Sequence, residues 1–156
     1  TRDAVHSKGL WHKIIVVAVI DEEGHILMQQ RAKTVETNKL KWDITSAVHI
    51  QAGQTSKEAA IREISEEVGL KVKEEDLKYV LTYKNKKHLG KYLDNQFYDC
   101  YIVKQKNIDI TKIKIQESEV EQIKICNLEE VEEMLKNNKV VPRNEFYAEL
   151  LKYLKN

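Results

Sequence analysis

The 156-residue chain predicts an α+β fold in which a mixed β-sheet is sandwiched between helices. Three observations carry that expectation. Runs of β-branched residues follow one another in hairpin order rather than in regular strand–helix alternation. One strongly patterned helix interrupts them near the middle of the chain, and two shorter amphipathic helices close it.

Trp11 to Ile20 is rich in β-branched residues, breaks at Asp21-Glu22-Glu23-Gly24 and resumes at Ile26 to Gln30, which reads as a β-hairpin with a short polar turn. Thr34 to Lys41 is polar and loop-like, and a third short strand is expected from Trp42 to Ile50. The clearest helix follows. Thr55-x-x-Glu58 has the form of a capping box, Ala60, Ile61, Ile64 and Val68 make an apolar stripe, and Gly69 is placed to end it. Leu77 to Tyr83 and Gln96 to Val103 then read as strands joined by a basic loop of Lys84, Lys86, Lys87 and His88. A further strand is expected over Val120 to Cys126. Asn127-x-x-Glu130 caps a helix running to about Lys136, and Pro142 precedes a last helix carrying Phe146, Leu150, Leu151 and Leu154. With no internal repeat and no low-complexity linker, residues 1–156 are expected to form one domain.

Composition narrows the function classes. At 42% hydrophobic residues with one proline, the chain is large enough for a core of its own. A formal net charge of +1, spread over many charges of both signs, gives no global field to draw in a nucleic acid polymer or a membrane. No apolar run approaches the roughly 18 residues of a membrane span, and the first residues lack a signal-peptide layout, so the expected location is the cytoplasm. Cys100 and Cys126 both fall in strand-like runs without metal-ligand spacing and read as reduced core thiols. A homodimer is left open.

The chemistry concentrates on the middle helix. At about 100° per residue, Ala60, Ile61, Ile64 and Val68 share one face while Glu63, Glu66 and Glu67 occupy another. Like charges at these spacings cost about 0.2–0.5 kcal/mol per pair, and Glu66 and Glu67 also lie near the helix C-terminus, where the dipole disfavours negative charge. Helix stability alone would not choose this arrangement. A divalent cation removes the conflict, because clustered carboxylate oxygens suit a hard ion such as Mg²⁺ or Mn²⁺. The plainer reading of a glutamate trio is an acidic solvated face with Glu63 paired to a distant cation.

The wider string favours the metal. Arg62-Glu63-Ile64-Ser65-Glu66-Glu67-Val68-Gly69-Leu70 matches every specified position in the second half of the Nudix box, G-x5-E-x7-R-E-U-x-E-E-x-G-U, where U is a bulky aliphatic residue. The chain resembles the Nudix hydrolase superfamily over most of its length: Gln30-Arg31, Trp42-Asp43 and the Ala52-Gly53 approach to the helix fit as well. That resemblance implies a Nudix-like α/β/α sandwich with a mixed sheet, and Mg²⁺-assisted hydrolysis of a diphosphate linkage in a nucleoside diphosphate derivative or related small molecule. By position, Glu63, Glu66 and Glu67 would hold metal, and Arg62 would orient a glutamate. Arg31 would contact phosphate or brace the site. The plainer reading of Arg62 is an i, i+4 pair with Glu58, and both can hold at once.

The first half of the box departs from the pattern. Val48 stands where the family has glycine, and Gln54 where it has glutamate, so the entry loop and the charge at the site differ. A second resemblance, to the isopentenyl diphosphate isomerase-like branch, rests on His6-Ser7-Lys8-Gly9-Leu10-Trp11-His12, on Trp42 through His49 and on Asn95-Gln96-Phe97. Aligned on His49, Ala47 occupies the position of that branch's proton-shuttling cysteine and Gln96 that of its glutamate; neither can shuttle a proton, which argues against isomerase chemistry. His6, His12 and His49 could hold a further metal by the same resemblance, although a histidine at a strand end is more often simply hydrogen-bonded.

Phosphoryl chemistry needs positioning and charge neutralisation, and the cation would supply both. A carboxylate must then accept a proton from the attacking water: Glu66, Glu67, Glu117 and Glu119 are the candidates. Lys84 and Lys87 are placed to meet outer phosphates, against the plainer reading of a solvated hairpin loop. Tyr83, Tyr92, Phe97 and Tyr98 could line a ligand pocket, although strand aromatics are usually core. The main alternative is a non-catalytic module that binds a diphosphate ligand on the same scaffold.

Overall fold

The computed structural model describes residues 11–50, 55–89, 92–143 and 145–155, the side chains of residues 11, 12, 85–89 and 92–95 excepted. In chain order the elements are β1 (Trp11–Ile20), β2 (Ile26–Arg31), β3 (Trp42–Asp43), β4 (Ser46–His49), α1 (Ser56–Val68), β5 (Lys78–Leu89), β6 (Tyr92–Lys104), β7 (Val120–Cys126), α2 (Leu128–Lys136) and α3 (Phe146–Leu154). Short 3₁₀ turns occupy Glu74–Asp76 and Ile110–Lys112.

Seven strands form one mixed sheet with the order β3-β2-β1-β6-β5; β4 pairs with β1 and β7 with β2. The β1–β6 pairing is parallel, from Trp11 opposite Asn95 to Ile20 opposite Lys104, and the other strand pairings are antiparallel. Because β1 touches β2 in register only at Ile20 and Ile26, the sheet opens beyond that turn. β1 continues beside β4, and β2 beside β3 and β7.

Alternation along the strands sends one set of residues to each face. Ile15, Val17, Val19, Leu27 and Val48 are buried with Ala59, Ala60, Ile64 and Val68 of α1. Ile14, Val16, Ala18, Met28 and Tyr98 are buried on the other face with Val131 of α2 and Phe146, Leu150 and Leu151 of α3. This is the expected sandwich. Cys100 and Cys126 are buried free thiols, and burial pushes them up to about 12 and about 11. Among the described residues no helix is long and apolar enough to cross a membrane.

Local signals set the helix ends. Thr55 Oγ1 accepts from Glu58 N at 3.2 Å, and Gly69 closes α1 in the left-handed region with φ 65°. Asn127 and Glu130 form both halves of a capping box at the start of α2.

Two expectations need correction. Trp42 to Ile50 is not one strand: it divides at Ile44 and Thr45, because its halves pair with strands that have already separated. Thr45 is buried at the break, where its Oγ1 accepts from Val19 N at 2.9 Å. Lys84 to His88 is not a loop either. These residues continue β5 in register with β6 out to Leu89 opposite Tyr92, since antiparallel backbone pairing does not require apolar side chains.

Candidate active site

The carboxylate cluster sits where the C-terminal half of α1 meets β2 and the segment before β7. Gly69 makes that meeting close: a Cβ there would lie 2.8 Å from Lys114 O. Gln116 N donates to Glu67 O at 3.0 Å, Glu119 N to Gln116 O at 2.9 Å, and Ala32 N to Glu119 O at 3.0 Å. The segment is therefore tied both to the end of α1 and to the end of β2, with Glu119 between them.

The helix divides the glutamate trio. Burial pushes Glu67 up to about 7, a hydrogen bond from Gln29 opposes that rise, and the nearby Glu63 and Glu119 carboxylates reinforce it. Glu63 is largely covered, with 22% of its side chain exposed, whereas Glu66 is 52% exposed. Arg62 lies 3.7 Å from Glu63 and 3.9 Å from Glu66, so among the described residues its ion pairs run to the box glutamates rather than to Glu58. These distances suit a loose guanidinium brace more than a tight bidentate pair.

Gln29 was not picked out by the sequence. It is 7% exposed, and its Nε2 donates to Thr45 O at 2.6 Å and to Glu67 Oε2 at 3.1 Å. One amide thus links the strand break to the helix. The available signal was an amide following the apolar run Ile26-Leu27-Met28, at a position that alternation sends to the same side as Leu27.

Among the described residues no group of three or more carboxylate, imidazole or thiol side chains is already drawn together as a ligand set. In kind, the donors still fit a hard divalent ion. Glu63, Glu67 and Glu119 offer only oxygen, and their mutual repulsion is the force a cation would remove. Ser46, opposite Val17 and so on the sheet face covered by α1, has a buried Oγ without a hydrogen-bond partner among the described residues.

The other candidates are dispersed. Arg31 Nε donates to Thr37 O at 3.1 Å and braces the loop between β2 and β3. Lys84 is exposed on the outer hairpin, its Nζ 5.8 Å from the centroid of Phe97. Lys87 lies on β5 with its side chain outside the described residues, as are Gln54, His6 and the side chain of His12. Glu117 lies in the segment before β7 and is exposed. Tyr98 is buried, stacked with Tyr83 and edge-on to Phe146, and its hydroxyl donates to Gln96 Oε1 at 2.8 Å.

A second polar cluster locks the opposite face. Asp43 accepts from Arg143 Nε at 3.0 Å and Nη2 at 2.5 Å, and from the Tyr147 hydroxyl. It ties β3 to α3 and the turn before it.

Comparisons with known proteins show the family and the fold. The NUDIX domain model matches residues 10–150. A Clostridium acetobutylicum protein described as an uncharacterised Nudix hydrolase is 31% identical over 140 residues, covering 88% of this chain and 67% of that protein. An isopentenyl-diphosphate Delta-isomerase of Photorhabdus laumondii is 32% identical over 65 residues, or 42% of this chain and 37% of that protein. The crystal structure of a C. elegans Ap4A hydrolase binary complex superposes with a TM-score of 0.62 at 18% identity, covering 92% of this chain and 93% of that one.

Proposed function

Because the chain belongs to the NUDIX domain family and is a Nudix-type pyrophosphohydrolase, we propose that it cleaves a diphosphate linkage in a nucleoside diphosphate derivative or related small molecule, with Mg²⁺ or Mn²⁺ as cofactor. The observation that supports the cation is Glu67: a covered carboxylate raised to about 7 beside two others. A divalent ion there would neutralise phosphate charge and acidify an attacking water.

The chain's own residues divide the remaining work. Glu63 and Glu67 supply the covered oxygens, and Glu66 completes the set from the exposed side. Gln29 fixes the direction of one Glu67 oxygen, so the carboxylate presents its other oxygen without searching. Arg62 steadies Glu63 and Glu66 from outside. Glu119, on the segment tied to both α1 and β2, accepts the proton of the attacking water. Lys84 and Lys87 remain candidates for the outer phosphates.

The test is release of phosphate, pyrophosphate or a mononucleotide across a panel of nucleoside diphosphate derivatives, dinucleoside polyphosphates and prenyl diphosphates, with and without Mg²⁺. Turnover that requires Mg²⁺ and is lost in Glu67→Gln is expected, with Glu119→Gln slower by about 10²–10⁴-fold. Binding without cleavage in every case would select the non-catalytic module suggested by Val48 and Gln54 and overturn this reading. Alkene interconversion without phosphate release would overturn it in favour of an isomerase, which Ala47 and Gln96 argue against.

A further inference from the structure

On the sheet face away from Glu67 there is a concavity of about 320 Å³, near the lower limit for a small-molecule site. It lies beside β3, whose outer edge is bridged by Val140. Trp42 and Gln30 are cross-strand partners and point to the same face, whereas Gln29, the next residue along β2, points towards α1. Lys39, Lys41 and Lys139 line the hollow, and among the described residues no Asp or Glu does. Among the described residues none of these three lysines forms an ion pair with a carboxylate.

The walls are held by backbone bonds. Leu40 N donates to Arg31 O at 3.0 Å and Arg31 N to Lys41 O at 2.8 Å; Trp42 N donates to Lys139 O at 2.7 Å. Gln30 Nε2 donates to Leu40 O at 3.0 Å, and Lys41 Nζ bonds Asn138 O. Asn38 and Asn138 turn the chain with φ values of 54° and 56°, as asparagines at turns and helix ends commonly do, and Leu40 has φ 58°. The Leu40 side chain so placed is 46% exposed rather than buried. Leu40 is thereby presented beside Trp42 and the three lysines.

We propose that this hollow is a second ligand site, distinct from the carboxylate cluster, which takes a phosphate-bearing molecule with a flat aromatic portion, of the size of a nucleoside monophosphate. The lysines meet the phosphate, and Trp42 and Leu40 cover the ring. Asn138 borders the hollow with an amide that can bond ring nitrogens or hydroxyls, while the Gln30 amide, held by Leu40 O and by Gln122, forms its wall.

The test uses Trp11→Phe, which leaves Trp42 as the only tryptophan, titrated in EDTA with AMP, adenosine and inorganic phosphate. Saturable change of Trp42 fluorescence with AMP is expected, with adenosine and phosphate each at least about tenfold weaker. Lys39→Glu with Lys139→Glu should weaken AMP by more than about tenfold, while Glu67→Gln leaves it unchanged. Calorimetry of AMP with the unsubstituted protein and the double lysine variant gives the same comparison should Trp11→Phe fold poorly. No saturation up to about 5 mM, AMP no tighter than phosphate, or indifference to the lysine reversals would overturn the proposal. Absence of diphosphate hydrolysis would not touch it, so the two readings fail separately.

Discussion

In metal-free protein, Glu67→Gln should stabilise the fold most at pH 8 and several-fold less at pH 5. The folded protein holds Glu67 near 7, against 4.5 for an ordinary carboxyl. Between those values the folded state binds more protons than the unfolded one, so stability falls as pH rises from 4.5 through 7 and the full penalty is present at pH 8. At about 1.4 kcal/mol per tenfold change, the ceiling is on the order of 3 kcal/mol, and movement of Glu63 or Glu119 away from Glu67 lowers it. Glutamine removes the charge but keeps a carbonyl to accept from Gln29. Urea denaturation in EDTA at pH 5, 6.5 and 8 measures the difference directly. Added Mg²⁺ should then raise the stability of the unsubstituted protein at pH 8 and have little effect on the variant. A variant destabilised by the same amount at each pH would refute the reasoning, since the carboxylate would then be contributing packing or hydrogen bonding instead of repulsion.

Gln29→Leu should cost about 1–3 kcal/mol in a denaturation titration, because Thr45 O loses its buried partner, and should raise the Mg²⁺ concentration needed for half-maximal turnover. Arg143→Met alone strands Asp43 and should cost about 3–5 kcal/mol; adding Asp43→Asn should recover much of that, as read from melting of the single and double variants. Gly69→Ala combines a left-handed φ with a Cβ 2.8 Å from Lys114 O, so a loss of at least about 1–2 kcal/mol is expected, with a fall in kcat as the segment bearing Glu119 is displaced.

What could be read from the sequence was local. The α1 caps at Thr55 and Gly69 and its apolar stripe are set within a few residues, as is the Asn127–Glu130 box, and all of them appear in the structure. The position of the glutamates on α1 was equally legible, but not how the surroundings would treat them: Glu66 and Glu67 are neighbours in sequence, yet one is half exposed beside Arg62 and the other is covered beside Gln29. Contacts between distant positions explain the rest. Gln29 meets Glu67, and Asp43 meets Arg143, across separations of 38 and 100 residues, and no periodicity encodes either. The break at Ile44 and Thr45 was hidden for the same reason, since it depends on two partner strands diverging. The extension of β5 through its lysines was missed because a charged hairpin read from composition alone resembles a solvated loop.

The side-by-side alignment of β1 with β6 bears on how the protein comes to be folded. Trp11 has no parallel neighbour until Asn95 exists, so a nascent chain that has left the ribosome only as far as α1 carries an apolar strand with one flank unsatisfied. Bringing those distant segments together means closing a long loop before the contacts that reward it can form, which places this enzyme among slower folders than its many hairpins suggest. Interrupted synthesis before Lys104 would leave species prone to association through that bare edge.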